Sequence, residues 1–153
     1  MDRLATRILS IEQPTDDQRE AINRMLREFN QYSNPVFWEA RAKPQNAVVA
    51  VQLFGFDATG EIVGGLFGER QFKWLKVHVM AVRPDLRGRG VGAALLAKAE
   101  RDAARAGCKY AYIDTMDYQA PGFYEKVGYR KVGEIADWDS HGHSKKYFVK
   151  PLA

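Results

Sequence analysis

The chain has 153 residues, with hydrophobic residues at 46% and charged residues at 27%, the mixture of a soluble globular domain long enough to bury a core unaided. Its single cysteine, Cys108, excludes an intramolecular disulfide framework and a zinc site built on several cysteines, and points to a reducing cytoplasm. Lys+Arg 23 against Asp+Glu 19 gives a formal charge of +4, which mildly favours an anionic ligand and is no nucleic-acid signature by itself.

From Met1 to Asp17 acids and bases are scattered without the apolar run of a secretory signal, and no apolar run anywhere reaches membrane-spanning length. A single domain over residues 1–153 is expected. Thr15-Asp16-Asp17-Gln18 has the spacing of a capping box, and Ala21, Ile22, Met25, Leu26 and Phe29 recur on one helical face, predicting a helix from about Thr15 to Tyr32. Asn34-Pro35 ends it, and Val36-Phe37-Trp38 starts a second short helix or a loop. Ala47 to Phe56 and Glu61 to Phe67 flank the turn residues Asp57-Ala58-Thr59-Gly60 and predict a hairpin. A third strand, Phe72 to Val82, is stopped by Arg83-Pro84. Its alternation puts Lys76, His78 and Met80 on one face and Val77, Val79 and Ala81 on the other.

Beyond Gly88 to Gly92, the residues Val91, Ala94, Leu95, Ala99, Ala103 and Ala106 form a helical stripe, and Gly107 stands where a C-terminal cap belongs. Cys108 to Asp114 alternates as a strand. Pro121 to Val127 reads as a short helix closed by Gly128, and Tyr129 to Ile135 and Lys146 to Val149 read as two more strands. Strand, glycine turn, long helix and strand make a βαβ unit whose strands must be parallel, whereas the hairpin is antiparallel. The expected fold class is therefore α+β, with a mixed, largely antiparallel central sheet flanked by helices.

The turn Arg87-Gly88-Arg89-Gly90-Val91-Gly92-Ala93 lets backbone N–H groups converge at the positive end of a helix, a site for phosphate, with Arg83, Arg87 and Arg89 adding charge. The plainer alternative is a turn whose glycines serve only the tight path of the chain. A Walker A loop fails, because no Gly-Lys-Ser/Thr follows. A dinucleotide fingerprint fits the letters, with Gly88, Gly90, Ala93 and the later Asp114, but a charged turn intervenes behind a β-meander where the motif needs a buried parallel strand.

A third pattern, Arg/Gln-x-x-Gly-x-Gly/Ala, is matched by Arg87, Gly90 and Gly92 just after the strand end Met80-Ala81-Val82. This resembles the pyrophosphate loop of the GNAT superfamily of acyl-CoA-dependent N-acyltransferases. Ala120-Pro121-Gly122-Phe123-Tyr124-Glu125-Lys126-Val127-Gly128-Tyr129 looks like the second signature of that family. The order of elements also follows the family over nearly the whole chain. Asp117 departs from it, standing where many members carry an asparagine, and as an acid it suits a cap.

The resemblance implies an N-acetyltransferase that passes an acetyl group from acetyl-CoA, a co-substrate, to a primary amine of a small molecule or peptide by direct attack in a ternary complex. Met80, Ala81 and Val82 would pair their backbone with the pantetheine arm like an added strand. Gly88, Arg89, Gly90, Val91, Gly92 and Ala93 would hold the pyrophosphate, the side chains of Arg87 and Arg89 reaching either it, the ribose phosphate or only water. Tyr124 is then the acid for the leaving thiolate, and His78 the base that relieves the amine of its proton, with Glu69 or water as the alternative base. The acceptor pocket is expected from Tyr32 to Trp38 and from Asp137 to His143. Cys108, without an adjoining histidine, reads as a core cysteine, and His141 and His143 lack a third ligand, so no metal is expected. Neither nucleic acid nor membrane is an expected partner, and a homodimer is left open. A non-catalytic acyl-CoA binding or sensing module is the rival function, and RNA binding ranks behind it.

Overall fold

A computed structural model describes residues 6–152; residues 1–5, where the N-terminal segment read above begins, lie outside it. The chain divides between Gln45 and Asn46 into two compact units. The first holds α1 (Asp16–Ser33) and α2 (Pro35–Arg41). Thr15 Oγ1 accepts from the Gln18 N–H at 3.2 Å and Gln18 Oε1 accepts from the Thr15 N–H at 2.9 Å, which is the reciprocal capping box. Asn34 closes α1 and also caps α2, its Oδ1 accepting from the Phe37 N–H at 3.3 Å, so Val36-Phe37-Trp38 is helical.

The second unit carries β1 (Val49–Phe56), β2 (Ile62–Gln71), β3 (Trp74–Val82), α3 (Val91–Arg105), β4 (Tyr110–Met116), α4 (Pro121–Lys126), β5 (Arg130–Ile135) and β6 (Lys145–Pro151). The six strands form one sheet in the order β1-β2-β3-β4-β6-β5. Among the described residues only β3 and β4, joined through α3, are parallel; the other pairs are antiparallel. This is the expected mixed α+β sheet. The Cys108 N–H completes the end of α3 by donating to Ala103 O at 2.9 Å, so β4 starts two residues after Cys108 instead of at it. The cysteine is buried, and burial pushes its thiol up from the ordinary value. Among the described residues no helix is long and apolar enough to cross a membrane.

One face of α3 presents Leu95, Leu96, Ala99 and Ala103, all buried, to Leu66, Leu75, Val77, Ala111, Ile113 and Phe148 of the sheet. Burial of each large side chain there is worth about 1.5–3 kcal/mol. The small alanines let the helix lie close to the strands, which brings its N-terminus to the end of β3.

A β-bulge sits where β2 and β3 pair: Gly68 faces Val77 and Phe67 faces Val79, leaving His78 with no partner on β2. The extra residue reverses the alternation expected for the rest of the strand. Val77 packs into the core, His78 and Val79 both lie on the opposite face, and Met80 and Val82 pack against the core again. Lys76, His78 and Met80 therefore do not share a face, because simple alternation cannot survive an inserted residue.

Candidate active site

The chain leaves β3 through Arg83-Pro84, a short 3-10 turn over Pro84–Leu86, and the glycines. Gly88 (φ +74°) and Gly90 (φ +85°) are left-handed, and no neighbour lies within 4 Å of where a Cβ would be on either. The turn is therefore held by backbone conformation and opens onto free space. The first bond of α3 runs from the Ala94 N–H to Gly90 O at 2.9 Å. The N–H groups of Val91, Gly92 and Ala93 thus begin a 15-residue helix without intrahelical acceptors, at its positive end.

The arginines divide. Arg83 is turned away, its Nε donating to Asp85 Oδ1 at 2.7 Å and its Nη1 to Asp57 Oδ2 at 3.4 Å, so it clamps the glycine turn to the β1–β2 hairpin. Asp57 in turn accepts from the N–H groups of Thr59 and Glu61 at 2.9 Å and 3.0 Å. Committed to these carboxylates, Arg83 adds no free charge to the turn, contrary to the expectation from sequence. Arg87 Nε donates to Val82 O at 3.2 Å, and Arg89 has no ion-pair partner among the described residues.

A cleft of about 480 Å³ runs from this turn to α4. It is lined by Met80–Val82, by Leu86–Gly88 and Gly90–Ala93, and by Gln119, Ala120, Phe123 and Tyr124. Of the residues expected to hold the cofactor, all but Arg89 reach it. β3 and β4 remain paired only as far as Val77 and Ile113. Beyond that point Met80, Ala81 and Val82 pair with Leu66, Gly65 and Gly64 of β2, and among the described residues no strand lies beside their other edge. An edge of backbone donors and acceptors that face no strand, Val82 O alone being taken by Arg87 Nε, leads to a helix N-terminus and suits a ligand with amide groups at one end and phosphates at the other.

Where the parallel strands part, a second cavity of about 210 Å³ is lined by His78 and Val79 of β3, Ile113, Asp114 and Thr115 of β4, and again by Met80, Gln119 and Tyr124. The last three residues therefore stand between the cleft and the cavity. Tyr124 is 7% exposed, its ring packed against Phe123, Tyr129 and Phe148 at centroid distances of 5.2, 6.0 and 5.9 Å. Burial pushes its phenol up, which keeps the proton on the oxygen. Gln119 Oε1 accepts from the Met116 N–H at 2.9 Å. This fixes the side-chain carbonyl and leaves the amide hydrogens of Gln119 for another partner.

His78 Nε2 lies 3.8 Å from Glu69 Oε2, and Lys76 Nζ lies 4.0 Å from Glu69 Oε1. The two candidate bases thus stand side by side, but only His78 lines the cavity. Asp114 is not beside the glycines, as a dinucleotide fingerprint would need; it lines the cavity, with Lys145 Nζ 3.1 Å from Oδ1 and the Tyr112 hydroxyl donating to Oδ2 at 3.0 Å.

Asp117 closes the β5–β6 loop: Oδ2 accepts from the Ser144 N–H at 3.0 Å, Oδ1 meets His143 Nδ1 at 2.8 Å, and the Asp117 N–H donates to Ser144 O at 2.9 Å. Its cap belongs to that loop and not to α4. Lys150 reinforces α4 from behind, donating to Glu100 Oε2 at 2.7 Å and to Val127 O at 2.8 Å. Sequence reading missed Gln119 and the cavity role of Asp114. The available signal was Asp114 alternating with the buried Ile113 and Thr115 on β4, which placed it on the polar face.

Residues 10–129 match the model of the acetyltransferase (GNAT) family. The chain is 39% identical over 131 residues to blasticidin-S acetyltransferase of Streptomyces morookaense, covering 83% of this chain and 96% of that protein. Among solved structures, an acetyltransferase from Bacillus cereus superposes with a TM-score of 0.75 at 29% identity, covering 94% of this chain and 98% of that one.

Proposed function

The chain belongs to the GNAT family of acetyltransferases, and on that premise we propose that it transfers the acetyl group of acetyl-CoA to a primary amine of a small molecule, an antibiotic of the blasticidin-S kind being the first acceptor to test. The observation that supports this reading is the pair of cavities that meet at Met80, Gln119 and Tyr124. One leads to the N-terminus of α3, which suits a phosphate, and the other to a polar pocket, and acyl transfer between two substrates needs such a meeting point.

In this reading the amine approaches through the cavity and sheds its ammonium proton to His78 or, through it, to the Glu69 carboxylate and solvent. The neutral nitrogen attacks the thioester carbonyl, the C–N bond forms, and the C–S bond breaks. The sulfur leaves as a thiolate that takes the hydrogen bond of the Tyr124 hydroxyl. An ordinary phenol has a pKa near 10 and a thiol about 8.5, so complete transfer from Tyr124 is uphill, and more so with the phenol raised by burial. Tyr124 therefore acts by stabilising the charge that develops on sulfur, with the proton lost from nitrogen restoring the balance. Cys108 has no part, being buried away from both cavities.

The test is release of CoA thiol from acetyl-CoA, followed over an amine panel that includes blasticidin S. We expect acceptor-dependent release by the native chain and none by Gly90→Asp, whose carboxylate opposes phosphate at the positive helix end. A folded Gly90→Asp protein with native acetyl-CoA affinity by calorimetry would refute the assignment of the glycine turn. Binding of acetyl-CoA without transfer to any amine would instead support the sensing module.

A further inference from the structure

We propose that Asp114, Trp138 and Tyr147 form a cation subsite for the acceptor, and that the ammonium of Lys145 occupies it in the free chain. The proposal rests on the acetyltransferase reading above and adds the chemical class of the acceptor: a molecule with a second, non-reacting ammonium or guanidinium group beside the amine that is acetylated.

Lys145 Nζ sits 3.1 Å from Asp114 Oδ1, 4.8 Å from the centroid of the Trp138 ring and 5.8 Å from that of Tyr147. One carboxylate and two aromatic rings around an ammonium are the chemistry that recognises a cation. The Tyr112 hydroxyl holds the carboxylate from its other oxygen, at 3.0 Å. Burial, together with Asp114, pushes that phenol up to about 12, so it remains a donor. Asp114 links the subsite to the reaction centre, because it alone of these residues also lines the cavity bounded by His78 and Tyr124.

The nitrogen that attacks must be neutral, and contact with a carboxylate would favour its charged form. Asp114 is therefore suited to a cation that does not react. Lys145 stands at the start of β6 on a flexible stem, and both it and Asp114 are partly exposed. Such a pair is held weakly, and a ligand cation that brings binding energy from the rest of its molecule can take the lysine's place while the ammonium swings into water.

The experiment compares agmatine, a primary amine with a guanidinium, with n-butylamine, which has the amine alone. Each is titrated calorimetrically in the presence of CoA and assayed for thiol release with acetyl-CoA. The native chain is expected to bind agmatine at least tenfold more tightly than butylamine. Asp114→Asn should reduce that preference at least tenfold. Lys145→Met, which removes the internal competitor, should enlarge it several-fold. A lysine that only braces the strand predicts the opposite sign for Lys145→Met, and that result, or equal binding of the two amines by the native chain, overturns the proposal. Preferential agmatine binding without acetyl-CoA-dependent thiol release would leave the subsite standing and remove the acetyltransferase reading instead. Thermal unfolding of each variant confirms that a lost preference does not reflect a lost fold.

Discussion

Gly68 has space for a hydrogen and for nothing larger. A Cβ there would lie 2.3 Å from Lys76 O and 3.2 Å from Val77 Cα, both backbone atoms that cannot step aside without breaking the strand pair. The bulge that leaves His78 without a partner on β2 is built on this close approach. Gly68→Ala should cost about 3 kcal/mol of stability, at the upper end of overpacking substitutions. Denaturant unfolding measures it, with the solvent-exposed Gly60→Ala as the smaller comparison, since nothing lies within 4 Å there and only its left-handed backbone (φ +86°) opposes a Cβ, at a cost of about 1 kcal/mol. Tyr124 carries the thiolate-stabilising role proposed above. Tyr124→Phe keeps the packing against Phe148 and Tyr129 and removes the hydroxyl alone. The expected result is a kcat lower by roughly ten- to a hundredfold with acetyl-CoA affinity little changed, as for a group that acts mainly in the transition state. Steady-state kinetics beside calorimetric titration separate the two quantities.

At the scale of elements, α4 is only six residues long, too short to hold Tyr124 by helix propensity. Its place is set by neighbours: Lys150 reaches Val127 O at its C-terminal end, and the Tyr129 N–H donates to Tyr124 O at 2.9 Å. The β5–β6 loop depends on Asp117 in a comparable way. The Ser144 N–H foremost, then His143 beside it, hold the Asp117 carboxyl below the ordinary aspartate value. A depressed value in the folded state stabilises the loop fully above the unfolded value of about 3.9 and loses that contribution as pH falls through the folded value. The protection of the Ser144 amide against hydrogen exchange should therefore hold steady above about pH 4 and fall below it. In Asp117→Asn, which cannot ionise, protection should be lower at neutral pH and should lose the acid step. Exchange followed by NMR from pH 3 to 7 reads both.

For the whole molecule, a ligand that binds only the folded chain raises its stability by mass action. Acetyl-CoA at a hundred times its Kd should add about 2.7 kcal/mol, a shift of roughly 5–10 °C in Tm for a chain of this size. A thermal scan with and without acetyl-CoA tests this, and Gly90→Asp should show no shift. Much of the architecture could be read from local patterns, because each depends on residues near one another in the chain. Thr15 to Gln18 spells the capping box, Gly107 and Gly128 follow their helices, and the glycine turn between a strand and the stripe Leu95, Ala99 and Ala103 requires the parallel β3–β4 pair. The residues around the cleft were legible for the same reason, since the turn and the Phe123-Tyr124 segment carry their own signatures. What depends on pairing between distant strands was not legible. The bulge opposite Gly68 reverses the side on which Met80 lies, Arg83 is drawn to Asp57 twenty-six residues earlier, and Asp114 meets Lys145 and Trp138 only once β6 lies beside β4. Sequence periodicity determines which residues can share a face within one strand; register and strand separation, set by backbone hydrogen bonds across the sheet, decide which faces meet and which side chains surround a substrate.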